Sequence, residues 1–220
     1  ATIEEQGKLT DELKKQIEAV MTMVALEDLY RPYRPKRRTR ATIAKEKGLE
    51  PLAEILRAQA TTRTIEEEAT AFVDAEKGVE SVQDAIDGAK DILAEVYADD
   101  ADYRTKLRAM TKESGSLVAK AKDEEADSVY GMYYDFSEPI KKLVGHRILA
   151  INRGEAEKFL TVKIEAPRQE ILLWLVKQII GNMKHDSASY LYEAITDSYD
   201  RLIAPSIERE IRNELTEKAE

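Results

Sequence analysis

The sequence has 220 residues, 43% of them hydrophobic and 35% charged, with only nine Gly and six Pro. The absence of cysteine excludes disulfides, thiolate nucleophiles and cysteine-ligated zinc or iron–sulfur sites, and a net charge of −9 argues against a general polyanion binder. Abundant helix formers and few chain breakers predict a mostly α-helical protein of one to two domains. Because no apolar run reaches membrane-spanning length and no secretory signal is present, we expect no membrane partner and a cytoplasmic location.

The first third of the chain predicts three helices. One runs from about Asp11 to Leu29 behind Thr10, which is a good N-cap. Thr39 caps a second helix, Gly48 ends it, and a short third helix follows over Pro51–Ala58. The last two form a hairpin of helix-turn-helix dimensions, but the third helix carries a single basic residue and would read a DNA groove poorly. We therefore favour a packing role for the hairpin.

The rest of the chain continues the helical pattern. Caps, prolines and apolar stripes predict helices over 64–74, 81–96, 100–112, 123–134, 167–180, 187–202 and from 205 onwards. The stretch 117–122 is either a strand or a helix start, with a possible sub-boundary near 114–122. Within 146–164 a helix followed by a short strand is favoured. The predicted fold is a multi-helical, bundle-like assembly with a helix-turn-helix-like hairpin and at most one or two short strands. Gly88 indicates a close helix contact.

A strongly basic segment, "LYRPYRPKRRTR" over 29–40, interrupts this acidic chain. Its prolines and tyrosines recur every three residues, the repeat of polyproline II, in which the tyrosines could dock while the arginines face elsewhere. Range 31–47 holds eight basic residues and one acid, so it carries +7 and the remainder −16. Bracing within or between domains is favoured, and direct nucleic-acid contact is the alternative. The candidate contact residues are Arg31, Arg34, Lys36, Arg37, Arg38 and Arg40.

The side-chain inventory indicates no catalytic, cofactor or metal site. The sequence contains no P-loop, no Gly-x-Gly-x-x-Gly, no nucleophile elbow, no HExxH and no EF-hand pattern. No carboxylate pair stands out as a general acid and base. His146 is expected to cap or hydrogen-bond at a helix start, and His185 to be solvated in a polar loop. We therefore expect that the chain is not an enzyme and binds no cofactor.

An aromatic cluster lies within the stretch "DEEADSVYGMYYDF" over 123–136. Exposed aromatic rings can stack nucleic-acid bases, which is one interpretation of the cluster. Five acids in the same stretch would repel phosphate, so a core seam with polar tyrosine hydroxyls is the favoured interpretation. The cluster comprises Tyr130, Met132, Tyr133, Tyr134 and Phe136.

Four stretches, at 26–56, 88–95, 133–157 and 197–215, resemble the Tex family of bacterial transcription accessory proteins, in the same order and over essentially the whole chain. The resemblance implies the N-terminal helical region of a longer protein whose ribonuclease-H-like, helix-hairpin-helix and S1 domains lie outside this chain. Both ends of the sequence fit such an excised piece. It implies no catalytic residue here. The implied partners are the remaining domains of the same protein, the transcription machinery, and DNA or RNA mainly through the S1 domain.

Two residues depart from the family pattern. Gly145 stands where the family usually has serine, which removes an expected N-cap. Lys158 stands where the family often has glycine, at the turn expected after the preceding helix. The function expected from residues and resemblance together is a non-catalytic helical scaffold region of a transcription accessory protein. The alternative is a nucleic-acid-binding module acting through range 31–47.

Overall fold

The computed structural model describes residues 1–34 and 38–220, and most of them are helical. The helices are α1 Thr2–Glu5, α2 Asp11–Ala19, α3 Met23–Tyr30, α4 Arg40–Glu46, α5 Glu50–Ala58, α6 Ile65–Thr70, α7 Val82–Ala98, α8 Ala101–Ser114, α9 Gly145–Ala156, α10 Arg168–Ile179, α11 Ser187–Asp197 and α12 Ala204–Ala219. The strands are β1 Ser116–Ala121, β2 Asp135–Pro139 and β3 Leu160–Glu165. The predicted mostly α class is confirmed, with one strand more than the expected maximum. None of the described helices is both long and apolar enough to cross a membrane.

Side-chain caps fix several helix starts where the sequence predicts them. The hydroxyl oxygen of Thr39 accepts a hydrogen bond from the Thr42 amide at 3.2 Å, and that of Ser81 accepts from the Asp84 amide at 3.1 Å. These bonds satisfy amide groups that have no partner within the first helical turn. Gly48 follows α4 with a φ of 78°, a left-handed conformation that glycine adopts without a steric cost. Helices α4 and α5 are thus joined by a short turn, and each packs on α7, Val82–Ala98.

Three local predictions are wrong. The single helix expected over 11–29 is split into α2 and α3, because Val20 is extended and Thr22 caps a new helix at the Ala25 amide. Polyproline II is not found over Arg31–Tyr33, which form a 3-10 helix that accepts Pro32 in its first turn. The helix expected over 123–134 is a loop that ends in a 3-10 turn, Gly131–Tyr133. Residues 35–37, the other part of the expected polyproline segment, lie outside the described residues.

The chain forms two compact units, and the first combines Ala1–Thr105 with Leu172–Ile203. In this unit α4, α5, α6 and α11 pack on α7. The close contact expected at Gly88 is confirmed, since a methyl group there would lie 2.3 Å from Cδ1 of Leu49. A π-helix, Ser198–Ile203, follows α11, and the Ser198 hydroxyl donates to the Ala94 carbonyl of α7 at 2.6 Å.

A buried ion pair also stabilises the first unit. Nε of Arg104 lies 3.6 Å from Oδ1 of Asp28, and the two side chains are 1% and 4% exposed. A guanidinium Nη1 of Arg104 also donates to the Ala98 carbonyl at 3.3 Å. Because burying either charge alone costs several kcal/mol, each member of the pair depends on the other. The pair thus fixes α3 against the start of α8.

The second unit combines Lys106–Ile171 with Ala204–Glu220. Its antiparallel sheet has the strand order β2-β1-β3, and β3 alternates buried and exposed side chains as the sequence predicts. Strand β1 occupies most of the stretch 114–122 that suggested a sub-boundary. Helix α9 packs against β3 and α12. Lys158, in the turn between α9 and β3, has a φ of 67°, the left-handed conformation for which the family pattern often supplies glycine.

Candidate nucleic-acid interface

The described arginines on either side of residues 35–37 are paired with acids of the same chain. Arg34 forms an ion pair with Glu27, and its guanidinium lies 5.7 Å from the ring centroid of Tyr30. Nη2 of Arg38 lies 2.9 Å from Oε2 of Glu46. The two arginine side chains are 50% and 67% exposed. These pairs hold the arginines on the surface but do not bury them.

Arg40, the first residue of α4, is exposed beside an acidic cleft of about 400 Å³. The cleft is also lined by Asp87, Lys90, Asp91, Glu193 and Asp197. Burial raises the pKa of the Asp91 carboxyl, and the positive charges of Arg201 and Arg40 offset part of this rise. The charge of Arg40 therefore offsets part of the negative charge of an acidic cleft in its own unit.

A second cleft, of about 510 Å³, adjoins the basic segment and carries charges of both signs. Its basic residues are Lys8, Arg34 and Lys45, and its acidic residues are Glu95, Asp99 and Asp100. The Gln6 side-chain amide donates to the Tyr33 carbonyl at 2.8 Å, which ties the 3-10 turn to the N-terminal residues. The Thr39 hydroxyl donates to Oε2 of Glu95 at 2.8 Å. The cleft thus offers no continuous positive track for a phosphate backbone.

Four of the six sequence-predicted contact residues are described, and the surroundings of three of them are acidic or mixed in charge. Arg34, Arg38 and Arg40 each lie near carboxylates, and Arg31 is half-buried. Lys36 and Arg37 lie outside the described residues. The sequence did not identify the acidic partners of these arginines. Glu27 lies seven residues before Arg34, and its proximity to the arginine depends on the end of α3 and the 3-10 turn that follows it.

One of the two histidines, His146, lies at a helix start as the sequence predicts, and the other does not. His185 is not solvated: its Nδ1 lies 2.7 Å from the Ser187 hydroxyl and its Nε2 lies 2.9 Å from the Thr61 carbonyl oxygen. Nε2 carries the proton that it donates to the Thr61 carbonyl. His185 thus links the loop that contains Thr61 to the loop that precedes α11. His146 is exposed in the first turn of α9. Within residues 1–34 and 38–220, no group of three or more His, Asp or Glu is arranged to hold a metal ion.

Comparison with known proteins places the chain in a family. Residues 60–220 match the family model described as Tex central region-like. The uncharacterized protein YdcI of Bacillus subtilis is 47% identical over 99% of this chain and 31% of its own length. The transcriptional accessory protein Tex of Neisseria gonorrhoeae is 35% identical over 100% of this chain and 30% of its own. The human S1 RNA-binding domain-containing protein 1 is 30% identical over 99% of this chain and 23% of its own.

The chain thus spans between 23% and 31% of the length of these three relatives. The family match covers residues 60–220, and the first two relatives extend the similarity over 99–100% of the chain. The four sequence stretches that resemble the family are included in this similarity. The chain belongs to the Tex family.

Proposed function

We propose that the chain is a non-catalytic helical scaffold region of a Tex-like transcription accessory protein. The observation that carries this proposal is the pairing of its basic segment with acids of the same chain. Arg34 meets Glu27, Arg38 meets Glu46, and Arg40 faces an acidic cleft. A segment used in this way braces helices, and the remaining domains of the longer protein would bind nucleic acid. A role in transcription would place the chain in the bacterial cytoplasm.

A nucleic-acid-binding module acting through range 31–47 is the second candidate, and one observation favours it. The Arg34 and Arg38 pairs are about half exposed or more, and exposed ion pairs contribute only about 0–1 kcal/mol. Phosphates could therefore replace Glu27 and Glu46 at little cost.

The two candidates differ in affinity and in salt dependence. If all six basic residues of range 29–40 contacted phosphates of duplex DNA, the slope of log affinity against log salt would be about −5. We expect a shallower slope and a Kd no tighter than about 10⁻⁴–10⁻⁶ M, because the rest of the chain carries −16. The measurement is a fluorescence anisotropy titration of labelled duplex DNA and single-stranded RNA at several salt concentrations.

A pair of charge-reversal variants makes this titration specific. Arg34→Glu/Arg38→Glu changes the basic segment, and Lys141→Glu/Lys142→Glu changes net charge equally at two exposed lysines elsewhere. We expect both variants to weaken the residual binding to a similar extent. If the wild-type chain bound tightly at physiological salt and only the first variant abolished this binding, the nucleic-acid-binding module would become the preferred function in place of the scaffold.

The absence of catalysis is tested separately. We expect no cleavage of DNA, RNA or nucleotides by the purified chain with added magnesium or manganese. Cleavage that persists through purification and disappears with one carboxylate substitution would show that the chain is an enzyme.

A further inference from the structure

Residues 123–134, within the loop between β1 and β2, are here called the tip loop, which exposes large apolar side chains. Val129 is 81% exposed and Met132 is 74% exposed. Gly131 lies between them in sequence, and a methyl group added there would have no atom within 4 Å. Exposed apolar side chains on a surface loop can supply the apolar contacts of an interface, in which methionine is enriched.

The tip loop is held in shape from inside. Tyr130 and Tyr133 are 5% and 7% exposed, and the Tyr130 hydroxyl donates to Oε2 of Glu157 at 2.8 Å. The Tyr130 ring also lies 5.8 Å from that of Phe159. Because the two tyrosines alternate with the exposed residues, burying them forces Val129 and Met132 outward. The apolar residues are therefore presented by a fixed backbone.

A hydroxyl network completes this support. The Tyr134 hydroxyl donates to the Ala126 carbonyl at 2.6 Å and lies 2.8 Å from the Ser128 hydroxyl. The Ser128 oxygen also accepts from the Tyr130 amide at 3.1 Å. A binding surface that is already ordered loses less conformational entropy when its partner arrives. The tip loop thus has the preorganisation that a docking site needs.

Charge restricts what can dock there. The stretch from the end of β1 to the start of β2, with Asp135 included, contains five acids and one basic residue, the exposed Lys122. Asp135 forms an ion pair with Lys120 on the neighbouring strand. The four acids of the tip loop itself, all exposed, are Asp123, Glu124, Glu125 and Asp127. Such a field repels nucleic acid and anionic lipid and attracts basic protein segments.

We propose that the tip loop is a docking site for a basic segment of another protein that carries apolar side chains among its Lys and Arg residues. Val129 and Met132 supply the apolar contact, and methionine suits it because its flexible side chain adapts to the partner. The surrounding carboxylates supply the charge complement. The proposal goes beyond the scaffold role, since it names a surface and the chemistry of its partner.

The test starts from a phage library of random dodecapeptides. Peptides are selected on the wild-type chain after depletion on Val129→Ser/Met132→Ser, and enriched peptides are synthesised with a fluorescent label. We expect enriched peptides to combine Lys or Arg with Leu, Met, Phe or Trp. Their Kd, measured by fluorescence anisotropy, should rise about tenfold for Val129→Ser/Met132→Ser. The Kd for the wild-type chain should also rise with increasing salt.

Matched controls separate the tip loop from the general acidity of the chain. The tip-loop variant Glu124→Gln/Glu125→Gln/Asp127→Asn should weaken peptide binding about tenfold. The control variant Glu165→Gln/Glu217→Gln/Glu220→Gln removes the same charge at exposed sites and should change the Kd by less than about twofold. Leu173→Ser/Met183→Ser removes apolar side chains that are 55% and 63% exposed and should also change little. Circular dichroism confirms that each variant folds.

Three results would overturn the proposal. The first is a selection that enriches no peptide or enriches acidic ones. The second is equal weakening by the tip-loop variants and their controls. The third is self-association of the wild-type chain in analytical ultracentrifugation that Val129→Ser/Met132→Ser abolishes, which would assign the tip loop to a second copy of this chain.

Discussion

The same tyrosine spacing occurs in two regions of the molecule with different outcomes. Tyr30 precedes the 3-10 turn Arg31–Tyr33, which ends at Tyr33. In the same way, Tyr130 precedes the 3-10 turn Gly131–Tyr133, which ends at Tyr133. The first pair is half-buried, whereas the second is 5% and 7% exposed. A spacing of three residues is compatible with a tight turn in both regions, but it does not decide how deeply the rings are buried.

The neighbours of each pair explain the difference. Tyr130 lies beside Phe159 and the backbone of Gly154, where an added methyl group would come 3.1 Å from the tyrosine ring. The ring of Tyr30 instead faces the guanidinium of Arg34, which is itself half exposed. Burial is therefore set by residues distant in sequence that supply apolar surface, and a basic neighbour keeps the first pair near solvent.

The largest expected effect tests this difference directly. Tyr130→Ala or Tyr133→Ala should lower the free energy of unfolding by about 3–5 kcal/mol, because each removes a buried ring. Tyr30→Ala and Tyr33→Ala should cost about 1 kcal/mol or less, since their rings keep contact with water. Urea unfolding followed by far-ultraviolet circular dichroism measures both. Equal losses for the two pairs would mean that the turn, and not the burial of the ring, determines stability.

Adjacent acids in α3 extend the comparison from rings to charges. Asp28→Ala leaves Arg104 buried without its carboxylate and should cost about 3–5 kcal/mol. Glu27→Ala removes the exposed partner of Arg34 and should cost about 0–1 kcal/mol. The same urea experiment checks both. A small loss for Asp28→Ala would show that water or other groups compensate Arg104.

Two glycines of the second unit give an intermediate effect. A methyl group at Gly154 would lie 2.6 Å from Cδ1 of Leu160, so Gly154→Ala should cost about 1–3 kcal/mol through overpacking beside Tyr130. Gly131→Ala meets open space at the tip loop and should change stability by less than about 0.5 kcal/mol. Thermal unfolding of both variants provides the check. If Gly131→Ala destabilised as much, the tip loop would be more tightly packed than its exposure indicates.

The smallest effect concerns Tyr97, a third buried tyrosine, whose hydroxyl has no hydrogen-bond partner among the described residues. Burial raises the pKa of Tyr97, so above about pH 10 the unfolded chain loses this proton while the folded protein keeps it. Its stabilising effect is present below that pH and is lost as pH rises toward the folded pKa. Tyr97→Phe should therefore reduce the alkaline loss of thermal stability, and at neutral pH it should slightly raise stability because it removes a buried hydroxyl that has no partner among the described residues. Tyr192→Phe, at an exposed ring, is the matched control and should leave the alkaline loss unchanged.

Local signals predicted much of this fold. Thr39 and Ser81 were identified as N-caps because the capping oxygen and the amide it binds are three residues apart in sequence. The break before Thr22 was equally local, but the apolar spacing across it suggested one continuous helix. Range 123–134 was predicted as a helix because its apolar residues recur at three to four residues. Its tyrosine hydroxyls and its packing on Phe159 favour a loop instead.

The candidate site was less predictable than the fold. The sequence identified the basic residues, including Arg34 and Arg38, because composition alone shows them. It did not identify their partners, since Glu27 and Glu46 differ in no local feature from the other exposed acids. The exposure of Val129 and Met132 was also hidden, because only the burial of the tyrosines beside them shows which way they face.

The first unit is built from two separate stretches of chain, and hydrogen bonds between them join residues about 120 positions apart. Oδ2 of Asp186 accepts from the Ile65 amide at 2.7 Å, at the start of α6. The Gln59 side chain donates to the Ile179 carbonyl at 3.0 Å and accepts from the Gly181 amide at 2.9 Å. The start of α6 and the residue that follows α5 are thus hydrogen-bonded to the later stretch.

This arrangement has a consequence for the chain as it leaves the ribosome. Bacterial and eukaryotic ribosomes add about 5–20 residues per second, so the 98 residues that follow Thr105 up to Ile203 take roughly 5–20 s. During that time the surface of α7 that α11 later covers faces water in the nascent chain. Release of residues 1–105 alone should therefore give a product that aggregates or binds chaperones, whereas the full chain hides that surface soon after Ile203 emerges.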